Sequence, residues 1–317
     1  MTFLNGKKLG YASALTAISI WAVFLLGTRF AVSGNFTVEE VMALRLMTAA
    51  IVTIPIMLKL GVALRGQGLL GTVMLSLGGS AIFPYIIAEG LYYAPVSDAG
   101  ALAPGTLPFW AALFSFLILG ERPNKLKILG LGLILTGAMF VSLWKILNTF
   151  DTQEWKGHVL FLLAACLWSV YSICYRKSGL SPLHSLGIGL FWGASISLPL
   201  LFTFGDLNFA DKTVTELLSM AFLQGVLIAI LALVLYSIAV QEIGAAQTAA
   251  FGALTPLLSV TGGVVLLNED IFLTTIIGIV LVTFGVLMAS GIFERDAQAN
   301  QKKTINSLFR HISNSYP

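Results

Sequence analysis

Apolar segments of about 20 residues follow one another along almost the whole chain. Each is long enough to cross the hydrocarbon core of a bilayer as a helix. Ten stand out, over 11–33, 38–60, 69–93, 97–119, 127–145, 157–178, 183–204, 217–240, 245–267 and 273–292. A helix satisfies its own backbone hydrogen bonds, so it can stay in lipid. Only 10% of the 317 residues are charged, against about 25% in a soluble domain. A soluble core could not absorb this much apolar sequence, so the expected fold is an all-α integral membrane protein of ten transmembrane helices. Its first partner is the lipid bilayer.

The connections are short and carry turn and charge signals, as in Ser33-Gly34-Asn35, Gly66-Gln67-Gly68, Gly120-Glu121-Arg122-Pro123 and Gly179-Leu180-Ser181-Pro182. The segment after Lys7 and Lys8 is too long for a signal peptide and lacks a small-x-small cleavage pattern, so it reads as a retained first helix. Cys166 and Cys174 share one segment. Eight residues of helix separate them by about 12 Å, too far for a disulfide.

Charge placement orients the bundle. With the N-terminus inside, the inner side collects thirteen cations: Lys7, Lys8, Lys59, Arg65, Arg122, Lys125, Lys127, Arg176, Lys177, Arg295, Lys302, Lys303 and Arg310. The outer side collects three: Lys145, Lys156 and Lys212. Positive loops favour the cytoplasmic side, so both termini are expected in the cytoplasm of a multi-pass cell-membrane protein. The net charge of +3 comes with no basic face, which gives no case for nucleic-acid binding.

The chain also repeats itself. Pro108, Glu121, Gly130, Gly137 and Ser142 recur 148 positions later as Pro256, Glu269, Gly278, Gly285 and Ser290, and Trp21 and Arg29 recur 147 positions later as Trp168 and Arg176. Two five-helix units follow, 11–145 and 157–292, with a polar cytoplasmic tail at 293–317. Because five is odd, the units cross the membrane in opposite senses, the inverted repeat common among secondary transporters.

The segment from Trp21 to Arg29, the in-span Arg45, and Pro108 followed by Gly120-Glu121-Arg122-Pro123 resemble the EamA family of the drug/metabolite transporter superfamily. The second copy, Pro256 to Asn268-Glu269, resembles the same unit with Asn in place of Gly. The resemblance covers about residues 11–292. It implies a ten-helix transporter of small metabolites, amino acids or drugs, export being the family's usual direction, with the third, fourth, eighth and ninth spans near a central cavity. It implies no substrate.

Ionisable residues inside spans are costly and are functional candidates by default. Arg45 lies seven residues into its span, roughly 10 Å deep. Arg29, Glu89 and Asp98 fall in the same depth range, and the expectation is a cluster in which Glu89 and Asp98 neutralise Arg45 and Arg29. The alternative is an ion network that only pins helix ends. Glu89 is the first candidate for coupling to a proton. Pro104 and Pro108 interrupt the fourth span and Pro256 the ninth, with Thr106 and Thr255 beside them. Broken helices at a repeat interface point to a binding site, although packing kinks are common.

Trp21 and Trp168 lie near mid-span, away from the interface where Trp usually sits. With Tyr85, Tyr92 and Tyr171 they are candidate cavity-lining residues, able to stack on an apolar or cationic small-molecule substrate. Plain packing is the competing account of each. The Gly189–Gly193 pair is expected to pack within the chain, so no second copy is required. His158, His184 and His311 lie near loops or in the tail with no second histidine at i+3 or i+4, and no H-E-x-x-H, G-x-S-x-G or P-loop pattern occurs. No metal, cofactor or catalytic residue is therefore expected, and a membrane enzyme is disfavoured. A channel would need a ring of like charges or carbonyls, and a lipid flippase of the same fold is the closest rival.

Overall fold

The computed structural model describes residues 6–148 and 153–293. The expected tail at 293–317 lies outside them apart from its first residue. The described residues form ten helical spans and no strand. Five belong to the first half: α1 (Gly6–Val32), α2 (Val38–Leu60), α3 (Gly68–Tyr93), a divided α4 (Val96–Leu102 and Leu107–Leu119) and α5 (Lys125–Asn148). The others are α6 (Glu154–Ser178), α7 (Pro182–Phe204), α8 (Val214–Ile243), a divided α9 (Ala245–Phe251 and Leu254–Leu267) and α10 (Leu273–Ala289). Nine are long and apolar enough to cross a membrane; α10 is a shorter apolar helix.

Local chemistry sets the ends. Thr37 and Glu40 form a capping box on α2, with the Glu40 N–H donating to Thr37 Oγ1 at 3.1 Å and the Thr37 N–H to Glu40 Oε2 at 3.0 Å. Thr213 and Glu216 do the same for α8. Each such cap meets donors that the first turn of the helix leaves without a partner and is worth about 1 kcal/mol. Gly120 closes α4 in the left-handed conformation at φ 70°, and Asn268 closes α9 at φ 52°. Asn tolerates this region better than other side chains, which is why it can stand where the first half uses Gly.

The two halves share their irregularities. A π-helical stretch runs from Met74 to Ile82 in α3 and another from Phe222 to Leu231 in α8, starting 148 residues apart. The breaks in α4 and α9 also match. Leu107 N–H donates to the Pro104 carbonyl, and Thr255 N–H to the Gly252 carbonyl, the same bond 148 residues on. Pro108 and Pro256 sit in the first turn of the helical piece that follows, where a missing N–H costs least. The break therefore lies just before each proline. The i+3 bonds take up the carbonyls that the prolines leave free.

Packing joins the halves as an inverted duplication. α5 and α10 form the tightest seam, where a Cβ on Gly137 would lie 2.5 Å from the Gly278 carbonyl oxygen and one on Gly130 2.7 Å from that of Gly285. Partner numbers fall as those on α5 rise, so the two helices run antiparallel. α2 with α7, and the first piece of α4 with the second of α9, meet the same way, Gly205 near Glu39 and Gly100 near Ser259. The cross pairs α1–α8 and α3–α6 complete the exchange, with Gly27 near Leu223 and Gly90 near Phe161. Gly189 and Gly193 of α7 press on Leu75 and Ser80 of α3, so that pair does pack within the chain.

Candidate functional site

The helix breaks of both halves converge on one cavity of about 150 Å³. Its wall takes Trp21, Phe24 and Leu25 from α1, Arg45 from α2, Gly79, Ser80 and Phe83 from α3, and Ala103, Pro104 and Leu107 from the break in α4. The second half adds Trp168 and Tyr171 from α6, Ser185, Leu186 and Gly189 from α7, Ile228, Ala229 and Leu233 from α8, and Thr255 from the break in α9. Depth is uneven. Arg45 and Ile87 lie on the wall nearest the α1–α2 connection, whereas Ser185 and Leu186 belong to the first two turns of α7 at the other end. The lining therefore reaches from roughly 10 Å inside one end of the bundle to the opposite end.

Aromatic contacts hold the cavity's shape. Trp168 packs at 4.6 Å on Phe83 and 5.1 Å on Tyr171, and Trp21 at 5.1 Å on Tyr236. Tyr171 OH lies 3.4 Å from Ser185 Oγ. Tilted rings at these separations hold one another in place while leaving faces for a guest.

Six of the sequence candidates line this cavity: Trp21, Arg45, Pro104, Trp168, Tyr171 and Thr255. Tyr85, Tyr92, Thr106, Pro108 and Pro256 do not. Tyr85 OH donates to Glu39 Oε1 at 3.0 Å, Tyr92 is exposed and edge-on to Tyr93, and Thr106 Oγ1 donates to the Leu102 carbonyl at 2.6 Å. Pro256 packs against Gly100 and Gly105 of α4. Trp168 and Tyr171 of α6 both face the cavity, whereas the regular helical stretch of α3 from Phe83 turns Phe83 and Ile87 to it and leaves Tyr85 and Tyr92 off it.

The expected cluster of Glu89 and Asp98 around Arg45 and Arg29 does not form. Arg29 Nε lies 3.4 Å from Glu269 Oε1, and its Nη1 donates to the Leu91 carbonyl at 2.5 Å and the Tyr92 carbonyl at 3.1 Å. Asp98 Oδ2 meets His158 Nε2 at 2.8 Å, both side chains buried. Glu89 lies beside Tyr93 and Glu39. Arg45 Nη1 donates to Gln224 Oε1 at 3.2 Å and to the Gln224 carbonyl at 3.4 Å, its guanidinium lying 5.4 Å from the Phe24 ring centre. Shared depth did not decide partners. The rotation of each helix did, and it turned Asp98 toward the other half while Glu89 stayed beside Tyr93 and Glu39 of its own half.

His158 is the residue that sequence reasoning passed over. It lies in the first turns of α6, and the signal that could have found it is Glu154, four residues earlier on the same helix face. Asp98, Glu154 and His158 each place one ligand atom within 4.8 Å of the others, so this trio could hold a metal ion. The Asp98–His158 contact uses only one ring nitrogen, and His158 Nδ1 is buried without an acceptor or donor beside it among the described residues.

The fold and cavity define a polytopic membrane transporter built from two interlocked halves. The profile of the EamA-like transporter family matches residues 8–143 and again 155–291, and the chain belongs to that family. Among its relatives, the uncharacterized transporter YyaM of Bacillus subtilis (strain 168) is 27% identical over 226 residues, 69% of this chain and 72% of its own. The uncharacterized transporter YoaV of the same organism is 24% identical over 71% of this chain and 75% of its own. A solved crystal structure superposes with a TM-score of 0.60 at 22% identity, covering 90% of this chain and 98% of its own. That last likeness speaks for the fold alone.

Proposed function

We propose that the protein is a secondary transporter that carries a small organic solute across the cell membrane by alternating access around the central cavity. The observation that carries this reading is the pair of matched helix breaks, before Pro108 and before Pro256, which meet at one cavity lined by both halves. Two halves of one plan, inverted, can exchange conformations, so a cavity between them can face either side in turn. The cavity reaches the end bearing Lys7, Lys8, Arg65, Arg122, Lys125 and Lys127, the cytoplasmic side by the charge rule, with both termini on that side. The conformation is thus the one that loads from the cytoplasm, and export is the direction it suits. The five-helix units bounded at 11–145 and 157–292 are the moving parts, and one chain lines the whole cavity. Glu89 is the candidate proton carrier, acting from the closed end rather than the cavity wall.

Reconstitution into liposomes tests this. Saturable flux of a solute, lost on replacing Trp168 and Tyr171 by Ala in a protein that still folds, is the expected result. Accelerated movement of labelled lipid with no solute flux would overturn it in favour of a flippase. Flux in Glu89→Gln that keeps its full dependence on a pH gradient would remove Glu89 from the coupling role.

A further inference from the structure

The cavity has one charge and no counter-charge. Among the described residues of its wall, Arg45 is the one ionisable side chain apart from the Tyr171 phenol, and none is Asp or Glu. The Arg45 side chain is buried, and every partner it has is neutral: the Gln224 amide oxygen, the Gln224 carbonyl and the Phe24 ring. Both hydrogen bonds leave from Nη1, and Nε is buried with no acceptor at all. A guanidinium offers five donors in a planar fork, so most of this fork is unspent.

Its setting is built to hold it so. Gln224 Nε2 donates to Thr28 Oγ1 at 2.9 Å, which fixes the amide with its oxygen toward Arg45. Gln224 lies in the π-helical stretch of α8. Three helices, α1, α2 and α8, thus orient one arginine toward the cavity without neutralising it. The arrangement also belongs to one half alone. The positions 147 and 148 residues after Arg45 are Trp192 and Gly193, so the rocking symmetry does not require this charge.

A buried guanidinium that lacks an anion is costly unless something supplies one. A ligand carboxylate does so with the geometry a guanidinium fits best, two parallel N–H···O bonds. One cation matches one negative charge; a dianion would leave a surplus in an apolar wall. An ammonium group would find no carboxylate here and would meet Arg45 as a like charge. The rest of the wall is apolar or aromatic, with Trp21, Phe83, Trp168 and Tyr171 around it. An apolar space of about 150 Å³ holds a body the size of one benzene ring.

We infer that the cavity takes organic monocarboxylates with a compact apolar or aromatic body, the carboxylate on Arg45 and the body among the four aromatic side chains. This rests on the transporter reading above and gives it a substrate class. It replaces the expectation of a cationic guest.

Three probes of one shape test it: phenylacetate, its neutral amide phenylacetamide, and the cation phenethylamine. Binding to the purified protein in detergent is read from quenching of tryptophan fluorescence, and flux from counterflow in proteoliposomes. Phenylacetate is expected to bind at least about tenfold more tightly than the amide, a ratio of the size charge-assisted hydrogen bonds provide, with the amine weakest. Arg45→Gln should bring acid and amide to near-equal affinity. Arg45→Lys should keep the order with a smaller ratio, as a point charge without the fork. Amide or amine binding as tight as the acid in the unmodified protein overturns the inference, as does failure of all three to bind, and neither result depends on a variant folding. The two readings fail separately. Carboxylate binding without flux would leave the anion site standing and sink the transporter. Equal flux of all three probes would keep the transporter and sink the anion site.

Discussion

The two ends of the molecule carry the same ion pair in two conditions. Arg29 and Arg176 are repeat equivalents, and so are Glu269 and Glu121; each arginine pairs with the glutamate of the other half. At one end the Arg29 and Glu269 side chains are 23% and 10% exposed, while at the other Arg176 and Glu121 are 59% and 50% exposed. Glu269 also accepts from the Val96 N–H with both oxygens, at 3.0 Å each, and so caps α4. The equivalent N–H, that of Gly244, donates to the Val240 carbonyl at 3.0 Å instead. One glutamate ties an arginine and a helix start together; its twin holds only the arginine and a nearby serine hydroxyl. Identical parts in unlike states teach more than either alone. They distinguish a more buried end from a more exposed one; on the alternating-access reading these are the closed and the open end, and the two glutamates trade roles when the cavity turns over.

The largest expected effect comes from breaking the closed pair. Glu269→Ala strips α4 of its cap and leaves Arg29 half-buried with carbonyl partners only. The loss should be about 2 kcal/mol, read as a lower unfolding temperature in detergent. Glu121→Ala, at the exposed pair, should change it little, since exposed ion pairs contribute little. Equal losses at the two ends would remove the distinction between them.

The glycine seam supplies the control. Gly137 and Gly278 face each other across α5 and α10, and a Cβ at either would lie 2.5 or 2.6 Å from the other's carbonyl oxygen. Gly137→Val and Gly278→Val should therefore cost alike, roughly 1–3 kcal/mol of overpacking, whichever end is open. A seam substitution that hurt one half much more would mean that the asymmetry is not confined to the ends. Accessibility sharpens the same contrast. In a chain with Cys166 and Cys174 replaced by Ser, Leu186→Cys on the cavity wall should react with a water-soluble thiol reagent roughly tenfold faster than Val96→Cys, which sits fully buried beside Glu269. Transported substrate should narrow the ratio.

Much of this was legible in the sequence, because lipid imposes simple rules. Segment length gave the spans, and the 148-residue offset gave the duplication and the positions of the broken helices. The C-terminal Asn268 could be matched to Gly120 on sequence alone. What could not be read was helix rotation. Periodicity placed Trp168 and Tyr171 on one face and Tyr85 with Tyr92 on another, but in helices apolar nearly all round it cannot say which face meets the cavity, and in α3 Phe83 and Ile87 do. Pairing failed for a related reason. Arg29, Arg45, Glu89 and Asp98 share a depth, but Arg29 chose Glu269 and Asp98 chose His158, partners more than 50 positions away, brought near only by the interlocking of the halves.

The smallest effect is set by pH, and it separates the two glutamates by sign. Burial pushes the Glu269 carboxyl above its ordinary 4.5, outweighing the helpful Val96 N–H and Arg29. The hydrogen bond from Arg176 holds Glu121 below that value. A carboxyl raised in the folded state adds stability that is fully present below its unfolded value and lost as pH rises through the folded one. A lowered carboxyl does the reverse, its contribution being present above about 4.5 and lost as pH falls through the lowered value. Acidification from neutral pH should thus protonate Glu269 first. It dissolves the Arg29 pair at the closed end while the Arg176 pair at the open end persists. Unfolding temperature measured against pH should lose its slope above 4.5 in Glu269→Gln and its slope below 4.5 in Glu121→Gln. Gln keeps an oxygen for the Val96 N–H, so the first variant changes the charge at the closed end without uncapping α4. If both variants flattened the same stretch of the curve, burial would not be what distinguishes the two ends, and the difference between them would have to lie in their arginines.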